Sequence, residues 1–329
     1  MKHLAQHLDR HLNRLLDGAA EMNDEILLDY FRFQYEHCMV YRQYADLLDL
    51  RVERAADIPF LPIAFFKTRE VYAASTPPQA IFTSSGTAGT VPSRHLVADL
   101  GIYERSYRSC FRRFFGSPPQ RVIAALLPSY LERGGSSLVE MARGLAETSG
   151  SPRSGFFLNE HRKLRDLLLS LRDTQTPTIL LGVGFALLDF AEKYTIDFPD
   201  LIVMETGGMK GRREEPTRKE LHALIRAGFG TRAVASEYGM TELLSQAYST
   251  DGGLYRTPPW MKIAVRDPRD PFLRAPNGST GGINVIDLAN IYSCSFVETQ
   301  DLGVARDDGS FEVLGRFDES ETRGCSLMI

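Results

Sequence analysis

The sequence predicts an α/β protein: a mostly parallel sheet flanked by helices, followed by a small β-rich subdomain. Two observations lead there. From about residue 80 to about residue 250, apolar runs alternate with amphipathic runs, and strands alternating with helices favour a parallel sheet covered on both faces. Beyond about residue 250 the chain changes to short strands broken by Gly, Asn and Asp turns. That texture reads as an antiparallel or barrel-like unit.

The elements follow in order. Residues 1–55 read as helical, with apolar positions at helical spacing and few breakers. DIPFLPIAFFKTREV (Asp57–Val71) is an apolar connector punctuated by proline. QAIFTSS reads as a strand entering a loop, and LVADLGIYERSYRSCFRRFF as a helix. RVIAALLPS (Arg121–Ser129) has the continuous apolar run of a buried strand, and SSLVEMARGLAE the period of a helix. TPTILLGVG is another strand, followed by the helix FALLDFAEKY. DLIVMETGG is a strand ending in glycines, and RKELHALIRAGF is a helix. DGGLYRTPPW, PNGSTGGINVIDL and FVETQDLGVARDDGSFEVLGRFD supply the late strands. The resulting division is a helical region over 1–75, an α/β core over 76–250, a β-rich subdomain over 251–315 and a tail over 316–329.

Composition narrows the function classes. The chain has 329 residues, 43% hydrophobic and 24% charged, with a formal net charge of -4. It carries no global basic field of the kind that nucleic acid or an acidic membrane attracts. Cys38, Cys110, Cys294 and Cys325 are scattered, with no CxxC pair, which argues against a zinc site or a disulfide framework. The N-terminus MKHLAQHLDRHLNRLL lacks the apolar core of a signal peptide, and no apolar run reaches bilayer length. The expectation is a cytoplasmic protein with free thiols.

Three segments carry candidate chemistry. Ile81–His95, IFTSSGTAGTVPSRH, packs Thr83, Ser84, Ser85, Gly86, Thr87 and Gly89 together after a strand. Glycines let backbone N–H groups approach phosphate oxygens, and hydroxyls add donors. The alternative is a solvated Ser/Gly turn; neither a Walker A loop nor a dinucleotide fingerprint is present. ASEYGMTELLSQAY (Ala235–Tyr248) sets Thr241 and Glu242 just before a run read as helical. There a carboxylate suits Mg2+ and a hydroxyl suits a phosphate, or Thr241 is simply the N-cap. FVETQDLG and GRFD offer Asp301 for ribose hydroxyls and Arg316 for a phosphate or ribose, or else plain hairpin acids. In an open α/β sheet, ligands lie beyond the carboxyl ends of the strands. The expectation is that Thr83–Gly89, Gly134–Ser137 and Thr206–Gly211 cluster there.

Together these segments resemble the adenylate-forming superfamily of acyl-CoA synthetases, peptide adenylation domains and luciferases. TSSGTAGTVPS resembles its phosphate loop, ETGGMKG its adenine loop and YGMTE its aromatic-Gly-x-Thr-Glu motif. ETQDLG resembles its ribose-binding motif and GRFDES its hinge. PFLPIAFFKTREV, LPSYLERGGSSLVEMA, METGGMKGRREE and RGCSLMI more narrowly resemble the acyl-protein synthetases of bacterial luminescence, the LuxE type.

That resemblance implies ATP and Mg2+ as cofactors and a fatty or other carboxylic acid as substrate. Thr83, Ser84, Ser85, Gly86, Thr87 and Gly89 would embrace the triphosphate. Gly207 and Gly208 would flank the adenine, with Tyr238 stacked on it and Gly239 and Met240 beside it. Thr241 would touch the α-phosphate, Glu242 would hold Mg2+, Asp301 would bind ribose and Arg316 would support the nucleotide. Cys325 would accept the acyl group before it passes to a reductase or carrier protein. Val91-Pro92-Ser93-Arg94 stands where the loop's usual lysine would be, so Arg94 substitutes, or Lys67 or Lys210 supplies the cation. The chain stops soon after GRFD; the expectation is an absent C-terminal lid domain and completion on a protein thiol. The rival readings are a CoA or carrier-protein ligase using the same adenylate, and a silent nucleotide-binding subunit.

Other residues stay open. His95 follows the phosphate loop and reads equally as structural or as a catalytic partner of carboxylate or phosphate. His3, His7 and His11 share one helix face and suit a surface better than a metal, which needs further ligands. YRSCFRRFF (Tyr107–Phe115) interleaves arginine with aromatics, better explained by one apolar and one basic helix face than by nucleic-acid binding.

Overall fold

The computed structural model describes residues 2–84, 91–127, 134–207, 216–250 and 252–317. Three helices open the chain: α1 (Lys2–Leu16), α2 (Asp24–His37) and α3 (Met39–Leu47). Leu8, Leu12 and Leu15 of α1 are buried at helical spacing. The Asn23 side chain accepts the Ile26 N–H at 2.9 Å and so caps α2. Helix ends at Leu47, and the proline-rich connector then does structural work. Leu61–Pro62 form β1, which pairs in parallel with the late strand Phe296–Ala305, and α4 (Phe65–Thr68) follows.

Strands β2 (Ala80–Thr83) and β3 (Arg94–Val97) form an antiparallel pair of their own. The segment read as a phosphate loop therefore closes a hairpin and does not join a parallel strand to a helix. The helix expected from Leu96 starts later, as α5 (Leu100–Phe115). His95, Leu96 and Val97 are all buried in succession, which suits a covered strand. Asp99 then sets the helix start by accepting the Gly101 N–H at 2.8 Å.

Next come β4 (Val122–Leu126), α6 (Ser137–Thr148), β5 (Gly155–Phe156), α7 (His161–Asp173) and β6 (Thr178–Val183). They are followed by α8 (Gly184–Ala191), β7 (Ile202–Thr206), α9 (Arg218–Phe229), β8 (Ala233–Tyr238) and β9 (Ala247–Ser249). The sheet order is β5-β4-β6-β7-β8-β9, parallel except for β9, which runs antiparallel to β8. Every residue of β4 and β6 is buried, as a doubly covered parallel sheet requires.

The second sheet contains β10 (Met261–Arg266), β11 (Thr280–Asp287), β12 (Phe296–Ala305) and β13 (Phe311–Arg316). Its path is β1-β12-β11-β10, with β13 on β12. The β-rich unit thus borrows a strand from the first 75 residues. One apolar core runs from Leu8 through Leu126 and Tyr238 to Phe311, so the regions separated in sequence are not separate in packing. Among the described residues, no helix is long and apolar enough to cross a membrane.

Candidate active site

The site forms where the carboxyl end of β8 meets the second sheet. β8 delivers Tyr238, and the chain then turns back into β9. The helix expected after Tyr238 is absent, so Thr241 is not a helix N-cap. The reason lies across the seam. The Asp287 carboxylate accepts the N–H groups of Leu244 (2.8 Å) and Ser245 (3.0 Å) and the Ser245 hydroxyl (2.5 Å). Those N–H groups are taken before a helical ladder can use them. Residues 242–248 are also buried without a polar face.

Three expected nucleotide residues come together. The Tyr238 hydroxyl donates to Asp301 Oδ2 at 2.9 Å, and Arg316 Nε lies 3.4 Å from Asp301 Oδ1. Asp301 and Arg316 are cross-strand partners on β12 and β13. Tyr255 and Phe311 wall the Tyr238 ring, with centroids at 5.9 and 5.6 Å. Burial, then the charge of Asp301, pushes the Tyr238 phenol well above its ordinary range, so it remains a donor at neutral pH.

Glu242 sits on the same turn. Burial pushes its carboxyl up, while the Ser93 hydroxyl and the charges of Arg316 and Lys67 act the other way. Glu242 is therefore within reach of the β2–β3 hairpin, of β13 and of α4. A single carboxylate suits a Mg2+ ion held jointly with a polyphosphate, because Mg2+ keeps waters and phosphate oxygens as its other ligands. Among the described residues no three His, Cys, Asp or Glu groups gather as a metal cage. His7 instead lies 3.8 Å from Asp29.

His95 is placed otherwise than a catalytic group requires. It is fully buried, with Nδ1 at 2.9 Å from the Thr241 carbonyl and Nε2 at 2.9 Å from Ser293 Oγ. Phe66 packs edge-on against it at 5.6 Å. Burial lowers its pKa to about 4, so it is neutral at pH 7. Both ring nitrogens are engaged and no surface is open to a reactant. His95 holds the Thr241 turn in place.

The described ends of the segment read as a phosphate loop are held by hydrogen bonds. The Thr83 N–H donates to the Gly135 carbonyl at 2.8 Å, and the Ser93 N–H to Ser84 Oγ at 2.8 Å. Gly207 ends β7 with φ +65°, a left-handed conformation that glycine adopts freely. Gly239 and Met240 lie on the Tyr238–Glu242 turn. Ser85, Gly86, Thr87, Gly89, Gly208, Lys210 and Cys325 lie outside the described residues.

Sequence reading missed Glu237. Its register partner on β7 is Thr206, whose hydroxyl donates to Glu237 Oε2. Burial pushes Glu237 up to about 7, with Glu205 adding in the same direction and the Thr206 bond opposing. On the opposite face, His222 Nε2 meets Ser236 Oγ at 3.1 Å and Glu205 at 3.7 Å. The available signal was a lone charged residue inside the buried strand AVASEY. A cleft of about 320 Å³ opens beside β2, lined by Ile81, Phe82, Leu100, Ser136, Val139 and Arg143.

Known proteins supply the context for this geometry. Residues 10–124 match the family described as acyl-protein synthetase, LuxE. A long-chain-fatty-acid–luciferin-component ligase of Photorhabdus luminescens is 37% identical over 76 residues, covering 22% of this chain and 66% of that protein. Among solved structures, a 2-hydroxyisobutyryl-CoA ligase with 2-HIB-AMP and CoA gives a TM-score of 0.65 at 14% identity, over 90% of this chain and 70% of the other. ATP-bound MatB from Rhodopseudomonas palustris gives 0.54 at 22% identity, over 72% and 48%. The luciferase-like enzyme of the mealworm Zophobas morio gives 0.52 at 16%, over 75% and 60%. At these identities the structural likeness is one of fold, and that fold is the mixed α/β architecture of adenylate-forming enzymes. Over residues 10–124 the chain is thus similar to the acyl-protein synthetase, LuxE family.

Proposed function

We propose that this chain activates a carboxylic acid with ATP, forming an acyl-adenylate, and passes the acyl group to a thiol. One observation supports it above the rest: Tyr238, Asp301 and Arg316 form a connected group beside Glu242, at the carboxyl end of the parallel sheet.

A carboxylate is a poor electrophile. Attack of its oxygen on the α-phosphorus of ATP forms the mixed anhydride and expels pyrophosphate. In this reading Asp301 accepts hydrogen bonds from the ribose hydroxyls and Tyr238 orients Asp301 while stacking on the base. Arg316 balances the Asp301 carboxylate and faces the phosphates. The Thr241 hydroxyl meets the α-phosphate, fixed by the His95 contact to its carbonyl. Glu242 would hold Mg2+, which neutralises charge gathering on the departing pyrophosphate. The loop hydroxyls of Thr83 and Ser84 would add donors there.

The thiol acceptor is the finer part of the proposal. Cys38, Cys110 and Cys294 are buried, and burial pushes all three thiols up, which disfavours the nucleophilic thiolate. Of this chain's own cysteines that leaves Cys325, beside Arg323. A thiolate attacking the acyl carbonyl forms the thioester and releases AMP. The relative from P. luminescens is named for a long-chain fatty acid, so fatty acids belong in the substrate panel.

The test is ATP–pyrophosphate exchange across short, long and aromatic acids. Acid-dependent exchange is expected. ATP binding with no exchange for any acid overturns the reading in favour of a partner-dependent subunit. With an active acid in hand, Cys325→Ser is expected to abolish the acyl-protein and spare exchange. Turnover onto CoA that survives Cys325→Ser would make the protein a CoA ligase instead.

A further inference from the structure

Arg218 stands behind the proposed nucleotide site, and its place in the sequence is unexpected. It opens α9 directly after the N-cap Thr217. The dipole of a helix favours acids in the first turn and bases in the last, so a cation there is disfavoured. Its tertiary contacts account for its presence. The side chain is 31% exposed, and Nε lies 3.7 Å from Glu205 Oε1 on β7. A second guanidinium nitrogen donates to the Val313 carbonyl on β13 at 2.9 Å. The guanidinium carbon stands 5.1 Å from the centre of the Tyr255 ring, within cation–π range. The stem fits closely: a Cβ on Gly253, where φ is +77°, would stand 2.8 Å from Arg218 Cδ.

Each contact leads into the site. Glu205 stands two residues before Gly207, where the segment read as flanking the adenine begins. Tyr255 packs against Tyr238 at 5.9 Å and stacks with Phe311 at 5.4 Å, so its position constrains the ring assigned to the base. Val313 lies on the strand that carries Arg316 opposite Asp301. β7 belongs to the parallel sheet and β13 to the second sheet. One side chain therefore bridges the two sheets whose seam holds the site. A guanidinium suits that task, because its planar fork directs several donors at once, which a lysine ammonium on a flexible stem does not.

We propose that Arg218 is a positioning residue for ATP: it holds the Tyr255–Tyr238 rings and β13 in a fixed relation to the end of β7. The inference rests on the nucleotide-binding part of the reading above.

The experiment compares Arg218→Met, Arg218→Lys and Gly253→Ala with the wild type in the full chain. ATP affinity is read by equilibrium binding and, with an active acid, as KM for ATP beside kcat in pyrophosphate exchange. Arg218→Met is expected to weaken ATP binding about tenfold and to raise KM for ATP alike, with kcat at saturating ATP within about twofold. Arg218→Lys keeps the charge and is expected to recover part of that loss. Gly253→Ala keeps the arginine, displaces its stem and is expected to weaken ATP binding by a smaller factor; it and Arg218→Lys decide the matter if Arg218→Met fails to fold. Wild-type ATP affinity in the folded variants, whatever their unfolding temperature, overturns the proposal. So does a loss carried by kcat alone. If wild-type protein binds ATP and no acid supports exchange, acid activation falls and the binding comparison still decides this inference. If wild-type protein does not bind ATP, both fall together.

Discussion

Two buried carboxylates in the same core, Asp287 and Glu237, are held very differently. Asp287 is fully buried and receives hydrogen bonds from the N–H groups of Leu244, Ser245 and Ala289 and from the Ser245 hydroxyl. Among the described residues Glu237 receives one, from Thr206, and turns its other oxygen toward Gly239. Burial raises both, to about 6 and about 7. A buried acid surrounded by committed donors is part of the scaffold. One with an oxygen pressed against a neighbouring glycine is held by fewer committed donors. Asp287 fixes the path of the chain after Thr241, and Glu237 packs beneath the turn at Gly239.

Removing the committed acid is the largest expected effect. Asp287→Ala strands four donors in the core, and each unpaired buried donor costs about 1–3 kcal/mol. A loss of about 4 kcal/mol or more is expected in urea denaturation. If Asp287→Ala unfolds no more easily than Glu237→Ala, the distinction between the two carboxylates fails.

Glu237→Gln is expected to move stability the other way. Burial raises the Glu237 carboxyl to about 7 in the folded chain, from its ordinary 4.5 when unfolded. Between those values the folded state holds a proton that the unfolded state has released. The stabilisation is therefore full below about 4.5 and is lost as pH rises through about 7. Glutamine removes this dependence. At pH 8 the variant is expected to gain on the order of 3 kcal/mol over the wild type, and near pH 4.5 almost nothing. Thermal unfolding across that range reads the crossing; a constant difference between the two proteins would show that Glu237 does not titrate there.

His95 has the opposite sign and a smaller mutational effect. Burial lowers its folded pKa to about 4 from the ordinary 6.5, so its contribution is present above 6.5 and lost as pH falls toward 4. His95→Phe removes the partners of Thr241 and Ser293 and should cost about 2 kcal/mol at pH 7. It should also abolish that acid-side slope. A catalytic His95 would instead show a loss of kcat with stability intact.

The same contrast explains what could be read from the sequence. β4 is legible because Val122–Leu126 is buried on both faces and so forms one apolar run. α9 is legible because Thr217 and Glu220 form a capping box and Gly230 closes the other end in the left-handed region. α7 was missed: Leu164, Leu168 and Leu171 are buried, but arginines and aspartates crowd the intervening positions. β1 was hidden because its partner lies on β12. The false helix after Tyr238 has the same origin. Its local pattern is helical, and a carboxylate far along the chain claims its N–H groups. Motif residues such as Tyr238 and Asp301 were legible as types at a spacing. Glu237, His95 and Asp287 acquire meaning only from what stands opposite them.

Tyr238→Phe gives the smallest and most local expected effect. The ring would keep its packing against Tyr255 and Phe311, so stability should change by no more than about 1 kcal/mol. Asp301 would lose its neutral donor at Oδ2 and keep the exposed, 3.4 Å contact from Arg316. A carboxylate held from one side is less well oriented toward two ribose hydroxyls. ATP affinity should fall severalfold, visible as a raised KM for ATP in pyrophosphate exchange. That outcome sharpens the comparison, because Tyr238 and Glu237 are adjacent on β8 and face opposite ways. If Glu237→Gln raised the KM for ATP as strongly, the two faces of the strand would not have different roles.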